Sequence, residues 1–200
     1  MNAHNKASEW FDGLYREHEK SQENIPWARQ AVNPWLQSYL DEVLSHRGKA
    51  LVIGCGLGDD AYALELAGYA VTAIDVSESA LMQAKKRFPN SRVSFEKQDI
   101  FEYEETFDFV FEAFTIQSLP LEFRQQMIEV IANRVKNEGY LLLVAHQQEH
   151  KFDGPPWPLT LEDIQAFEKY ELIEHSRNIY QEKSRISNTR FRVLYKREKK

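Results

Sequence analysis

The stretch Ala50-Leu51-Val52-Ile53-Gly54-Cys55-Gly56-Leu57-Gly58-Asp59-Asp60 decides the fold. A four-residue apolar run enters a cluster of glycines, and a helical pattern starts directly behind it. A short continuous apolar run fits a strand buried on both faces, as parallel sheets require. Closely spaced glycines accept positive φ and let the backbone approach a ligand. Amides at the start of the new helix favour polar or anionic groups. In open α/β sheets the ligand crevice lies beyond the carboxyl ends of the strands. The segment therefore predicts strand, ligand-binding turn and helix in succession.

The glycine spacing narrows the ligand. A dinucleotide site calls for G-x-G-x-x-G with pyrophosphate on the helix end. Here the order is G-x-G-x-G, and Asp59 stands where the third glycine of that pattern belongs. Two acids in succession would repel a pyrophosphate but tolerate a ligand that is uncharged there or carries an ammonium. A nucleoside with an amino-acid tail fits better than a nicotinamide dinucleotide, and a nicotinamide-dependent oxidoreductase is the disfavoured alternative.

Downstream, strands alternate with helices. Ala61, Leu64 and Ala67 form a helical stripe ending at Gly68, Tyr69 to Ile74 is a second strand, and Ser77 is placed to cap a helix running to Phe88. Val93 to Phe95 is a third strand and Phe107 to Phe111 a fourth. Phe123, Met127, Val130 and Ile131 mark a helix ending near Asn137-Glu138-Gly139, and Tyr140 to Ala145 is a fifth strand. Thr160-Leu161-Glu162-Asp163 resembles a capping box with Ile164 and Phe167 facing inward. Two closing strands, about 172–179 and 190–196, lack an intervening helix, which predicts antiparallel pairing at the sheet edge. Repeated β-α units imply a parallel sheet with helices on both faces.

Upstream, residues 1–47 form a polar, aromatic-rich section that holds all but one of the four tryptophans. Trp10, Phe11, Leu14 and Tyr15 have helical spacing; a break at Ile25-Pro26-Trp27 precedes a second helix from Pro34 to Leu44. Two hundred residues fit one domain, 1–200, made of this front section and an α/β core over 48–197. The net charge of −6 disfavours a phosphate-backbone partner. The basic Lys196–Lys200 run reads as a solvated end. One cysteine excludes an internal disulfide and a Cys-rich zinc site, and no metal is expected. No apolar run approaches the ~20 residues that cross a bilayer. A cytoplasmic protein with no membrane partner is expected.

Three acids follow successive strand ends. Asp75, with Val76 beside it, closes the second strand about 20 residues after the turn, where an acid accepts both ribose hydroxyls. Asp99 follows the third strand, placed to accept from an adenine amino group, with Ile100 positioned against the ring. Glu112 closes the fourth and is placed toward an amino-acid portion. Each alone reads equally well as a cap or loop residue; together they argue for a nucleoside site.

Gly54-Cys55-Gly56-Leu57-Gly58, Asp75, Asp99 and the Phe107-Asp108-Phe109-Val110 strand resemble the motifs of class I S-adenosylmethionine-dependent methyltransferases. The resemblance implies a seven-stranded Rossmann-like sheet, order 3-2-1-4-5-7-6, with strand 7 antiparallel. It implies further that Gly54 and Gly56 approach the amino-acid moiety of S-adenosylmethionine, Asp75 binds ribose, and Asp99 with Ile100 binds adenine. Within the class, the front section and Gly54-Cys55-Gly56 are similar to the thiopurine and thiol methyltransferases, whose tryptophans cover the cofactor as an N-terminal helical lid. Trp10 and Pro26-Trp27 match two of those tryptophans. A third falls on Leu14 or Tyr15, and the arginine common after that group's fourth strand is missing from Glu112-Ala113-Phe114-Thr115.

Asp153-Gly154-Pro155-Pro156-Trp157 resembles a Pro-Pro-aromatic motif of enzymes that methylate base amino groups, but it follows the fifth strand instead of the fourth and reads as a pocket-wall loop. His146 and His150 are placed after the fifth strand, with His146 the one weak candidate for a general base. The expectation is a methyltransferase acting on a small-molecule acceptor, a thiol slightly favoured; a cofactor-binding protein without turnover is the alternative.

Overall fold

The computed structural model describes residues 3–42, 48–150, 154–181 and 186–198, with side chains from residue 9 onward. The expected end of the second helix at Leu44 and Asp153 of the Pro-Pro-Trp segment lie outside them. The chain divides into two compact units, residues 1–103 and 104–200. The strands form one sheet in the order β3-β2-β1-β4-β5-β7-β6.

The first unit contains α1 (Ala3–Glu17), a 3-10 turn (Gln22–Asn24), α2 (Pro34–Glu42), β1 (Lys49–Ile53), α3 (Asp59–Leu66), β2 (Ala70–Asp75), α4 (Glu78–Arg87) and β3 (Ser94–Lys97). Ala50 to Ile53 are all buried, as a run apolar on both faces demands. β1 and β2 pair in parallel with Ile53 opposite Ile74, so the glycine turn and Asp75 leave the sheet side by side. Gly58 takes φ 85° at the start of α3, and a β-carbon there would stand 3.0 Å from Ala84 and from the Phe95 ring. α3 packs this closely because that residue is glycine. Ser77 caps α4 through Ala80 N–H, and Lys85, Lys86 and Arg87 fill its last turn, matching the helix dipole at both ends.

The second unit contains β4 (Phe107–Ala113), α5 (Arg124–Asn133), β5 (Val135–His146), α6 (Leu161–Gln165), a 3-10 turn (Ala166–Tyr170), β6 (Leu172–Gln181) and β7 (Thr189–Arg197). The helix expected to end near Asn137-Glu138-Gly139 stops at Asn133 instead, and these residues lie inside β5. Val135 is buried opposite Phe107, and the register shifts between Phe107 and Phe109. The polar, glycine-containing segment absorbs that irregularity, with Glu138 at φ 64°. β5 and β6 both pair antiparallel with β7, in agreement with the helix-free connection.

The capping box is present: Thr160 Oγ1 accepts from Asp163 N–H at 3.1 Å, and the Asp163 carboxylate accepts from Thr160 N–H at 3.0 Å. Thr160→Ala should therefore lower stability by about 1 kcal/mol, read as a shifted urea midpoint at constant m.

Candidate active site

Asp75 organises the turn. Its Oδ2 accepts from Gly56 N–H at 2.9 Å and its Oδ1 from Ser77 N–H at 2.8 Å. Burial raises its pKa, with backbone N–H groups of Ser77, Gly56 and Val76 working against that rise. Each oxygen keeps a second lone pair, so a buried, rigid carboxylate presents two further acceptor positions. Gly54, Gly56 and Gly58 all have positive φ, and Gly54 is exposed, which leaves the turn's backbone open to a ligand. Val76 and Cys55 are half-buried beside it. Burial and the Asp75 charge push the Cys55 thiol upward, away from reactivity.

The two acids at the helix start do not act as a bare charge pair. Arg87 grips Asp59 with two bonds of 2.5 and 2.7 Å and also donates to Leu57 C=O. Asp60 accepts from Asn33 N–H at 2.6 Å and is pushed up to about 7 by burial. The expected repulsion of a pyrophosphate is correspondingly weaker, because one charge is neutralised by a residue 28 positions away and the other is partly protonated. The case against a dinucleotide rests on the glycine spacing.

Helix α1 is fastened over this turn. Asp12 Oδ1 accepts from Ser77 Oγ and Ser79 N–H at 2.9 and 3.0 Å, and Oδ2 accepts from Arg16. Burial raises its pKa, but these bonds outweigh it and hold the carboxyl well below the usual range. Gln83 Nε2 donates to Tyr15 C=O at 2.7 Å, and Tyr15, Ile25, Leu57 and Ala80 form one buried apolar cluster. The Tyr15 hydroxyl accepts from Trp27 Nε1–H at 2.8 Å and lies 2.7 Å from where a Gly56 β-carbon would stand. Of the two residues that resemble the missing tryptophan, Tyr15 is therefore the one over the turn, while Leu14 is half-buried.

Trp10 and Trp27 meet at 5.8 Å with Phe11 against both, yet remain 51% and 38% exposed. Trp27→Ala should weaken S-adenosylhomocysteine binding by about 1 kcal/mol through the loosened Tyr15. Urea unfolding should move less, since the ring is half in solvent. Equal affinity beside a large stability loss would return Trp27 to packing alone. Asp99 caps the 3-10 turn at Ile100–Glu102 by accepting from Phe101 N–H at 3.0 Å, and Ile100 is buried.

In the second unit Glu112 takes a different place from the one expected. It is fully buried, and Oε1 accepts from Thr115 and Ile116 N–H at 2.6 and 2.9 Å. Through Oε1 it holds the turn after β4. Oε2 has no hydrogen-bond partner, and burial pushes the carboxyl up to about 7. Arg124, also buried, donates to Asp163 and to Trp157 C=O at 2.7 Å each, tying the Pro-Pro-Trp loop to α6. His146 is buried, its backbone N–H donates to Gln117 Oε1 at 2.8 Å, and its Nδ1 has no partner. Burial and Arg190 lower it to about 4, so near neutrality it is an uncharged ring and a poor general base. His150 is exposed. Asp12, Gln117 and Arg190 gave no sequence signal; only the i, i+4 spacing of Asp12 and Arg16 hinted at a pair.

Among the described residues no helix is long and apolar enough to cross a membrane, and no cluster of three potential metal ligands occurs. The chain is 29% identical over 154 residues to thiocyanate methyltransferase 1 of Arabidopsis thaliana, covering 74% of this chain and 66% of that protein. It is 24% identical over 189 residues to the thiopurine S-methyltransferase of Legionella pneumophila strain Paris, covering 82% and 86%. Its fold is similar to that of the N-methyltransferase NodS from Bradyrhizobium japonicum in complex with S-adenosyl-L-homocysteine, at a TM-score of 0.73 and 20% identity over 93% of this chain and 99% of that one. The family model for thiopurine S-methyltransferase matches residues 16–194. Its fold is the one seen in that N-methyltransferase, and the chain belongs to the thiopurine S-methyltransferase family.

Proposed function

We propose that the protein methylates a small sulfur nucleophile from S-adenosylmethionine. The observation that carries this reading is the buried Asp75 carboxylate, held by Gly56 and Ser77 beside a glycine turn with two acceptor positions to spare. That geometry suits a ribose diol. Gly54, Cys55 and Gly56 would hold the amino-acid moiety, Asp99 would accept from the adenine amino group, and Val76 and Ile100 would flank the ring. Trp10 and Trp27, with Tyr15 beneath them, cover the turn, and aromatic faces suit a sulfonium.

The cofactor supplies an activated methyl: the acceptor's sulfur lone pair forms the new C–S bond as the sulfonium bond breaks, and the donor leaves as a neutral thioether. The protein's share is alignment and exclusion of water. A thiol, with a reference pKa of about 8.5, ionises readily near neutrality, so the proton goes to solvent without a strong base. The weakly basic His146 fits such an acceptor better than a hydroxyl. The relatives named for thiocyanate and thiopurine support sulfur as the accepting atom. The net charge of −6 supports a small molecule over nucleic acid, and a cytoplasmic location goes with that reading.

The test is paired. S-adenosylhomocysteine should raise the melting temperature while NADH does not. Thiocyanate or a small thiol, added with S-adenosylmethionine, should release S-adenosylhomocysteine. A shift with NADH alone would overturn the cofactor; turnover only on hydroxyls would overturn the sulfur acceptor.

A further inference from the structure

A run of hydrogen bonds joins the first helix to the glycine turn. Asp12 Oδ1 accepts from Ser77 Oγ–H and from Ser79 N–H, an amide in the first turn of α4 that has no partner inside the helix. Ser77 N–H donates to Asp75 Oδ1, and Asp75 Oδ2 accepts from Gly56 N–H. Ser77 thus gives one donor to each carboxylate. Three positions after Asp12, on the same face of α1, the Tyr15 hydroxyl lies 2.7 Å from where a β-carbon on Gly56 would stand. The circuit closes: Asp12, Ser77, Asp75, Gly56, Tyr15, and back through one turn of helix.

The Asp12 carboxylate stands at the N-terminal end of α4, where helix amides favour an anion. The other ion pair in this region, between Lys86 on α4 and Glu19 just past α1, is exposed at both ends, and such pairs contribute little. The polar hold on α1 therefore falls on Asp12 and on Gln83, which donates to Tyr15 C=O. Of these two, only Asp12 shares a donor residue with Asp75. We infer that Asp12 is a positioning residue for the cofactor: through Ser77 it couples the seating of α1, and with it Tyr15 over Gly56, to the set of the Asp75 carboxylate and the glycine turn. Asp12 itself touches no ligand. The coupling is reciprocal, so a cofactor that engages Asp75 and the turn tightens α1, and losing the Asp12 bonds loosens the cofactor. This inference rests on the S-adenosylmethionine reading above.

The experiment titrates S-adenosylhomocysteine into wild type, Asp12→Ala and Asp12→Asn. Asp12→Ala should weaken binding about tenfold, the scale of a lost charge-assisted contact, with most of the change in the dissociation rate. Asp12→Asn keeps an oxygen for Ser77 and Ser79 and gives up only the pair with Arg16, whose side chain is 72% exposed. It should stay within about threefold of wild type. Amide hydrogen exchange of the ligand-free proteins, followed by NMR, supplies a readout that fastening a helix would not move. Asp12 makes no bond to Gly56, yet in Asp12→Ala the Gly56 amide should exchange about tenfold faster while Leu51 and Val52 in β1 exchange as before. Wild-type affinity in Asp12→Ala overturns the inference. So does acceleration at Leu51 and Val52 equal to that at Gly56, which would mean a general loss of stability. If wild type binds no S-adenosylhomocysteine, the cofactor reading fails by itself and exchange alone decides. A faster Gly56 amide beside an unchanged β1 then sustains the coupling, and an unchanged Gly56 amide removes it.

Discussion

Asp75→Ala should weaken S-adenosylhomocysteine binding by about 3 kcal/mol, more than a hundredfold. Two contributions add. The variant loses charge-assisted hydrogen bonds to the ribose diol, each worth about 1.5–3 kcal/mol. It also releases Gly56 and Ser77, whose amides the carboxylate now holds at 2.9 and 2.8 Å, so the turn loses its preset shape. The asparagine variant is informative. One of its terminal groups becomes an NH2 donor facing an N–H of Gly56 or Ser77, donor against donor. Asp75→Asn should therefore fall close to Asp75→Ala in affinity despite keeping the volume. Calorimetry on the folded fraction, with urea unfolding alongside, reads both effects. If both variants bind as wild type does, Asp75 serves the backbone turn alone and the ribose assignment fails.

Most of the sheet is legible in the sequence because its strands are buried on both faces. Ala50–Ile53 and Leu141–Ala145 read as uninterrupted apolar runs for the same reason that they are at or near zero exposure. The turn is legible because positive φ at Gly54, Gly56 and Gly58 leaves few other residues possible. The start of β5 is not legible: Asn137-Glu138-Gly139 carries the signature of a helix stop, yet those residues form an irregular strand segment between Val135 and Tyr140, the partners of Phe107 and Phe109. Only the pairing partner, not the local pattern, distinguishes the two.

Long-range charge compensation was equally invisible. Asp59 reads as a repulsive acid beside a phosphate site until Arg87, at the far end of α4, is seen to grip it. Asp12 reads as the solvated face of an amphipathic helix, yet it anchors α1 to the first turn of α4. Such residues are set by tertiary approach, and no spacing rule finds them. The candidate site was therefore legible as a set of strand-end residues, while the bonds that make it rigid were not.

Glu112→Gln should stabilise the protein at pH 8 by on the order of 3 kcal/mol and leave it nearly unchanged below pH 4.5. The sign follows from burial. The folded carboxyl titrates at about 7 against an ordinary 4.5, because desolvation of a fully buried group outweighs the amide bonds from Ile116 and Thr115 and the nearby Arg124 charge. A carboxyl whose folded pKa is raised binds its proton more tightly in the native state. Its contribution is most favourable below 4.5, where both states are protonated, and is lost as pH rises toward 7. Above 7 the full cost of a buried charge remains, with Oε2 lacking any partner. Glutamine keeps the Oε1 acceptor for Thr115 and Ile116 and carries no charge at any of these pH values. Asp60, also pushed up to about 7, titrates over the same window in both proteins and cancels in the difference. Urea unfolding of both proteins at pH 4.5 and pH 8 gives the comparison. A stability difference that does not change with pH would mean that Glu112 is ionised at little cost, and that its buried oxygen has a partner after all.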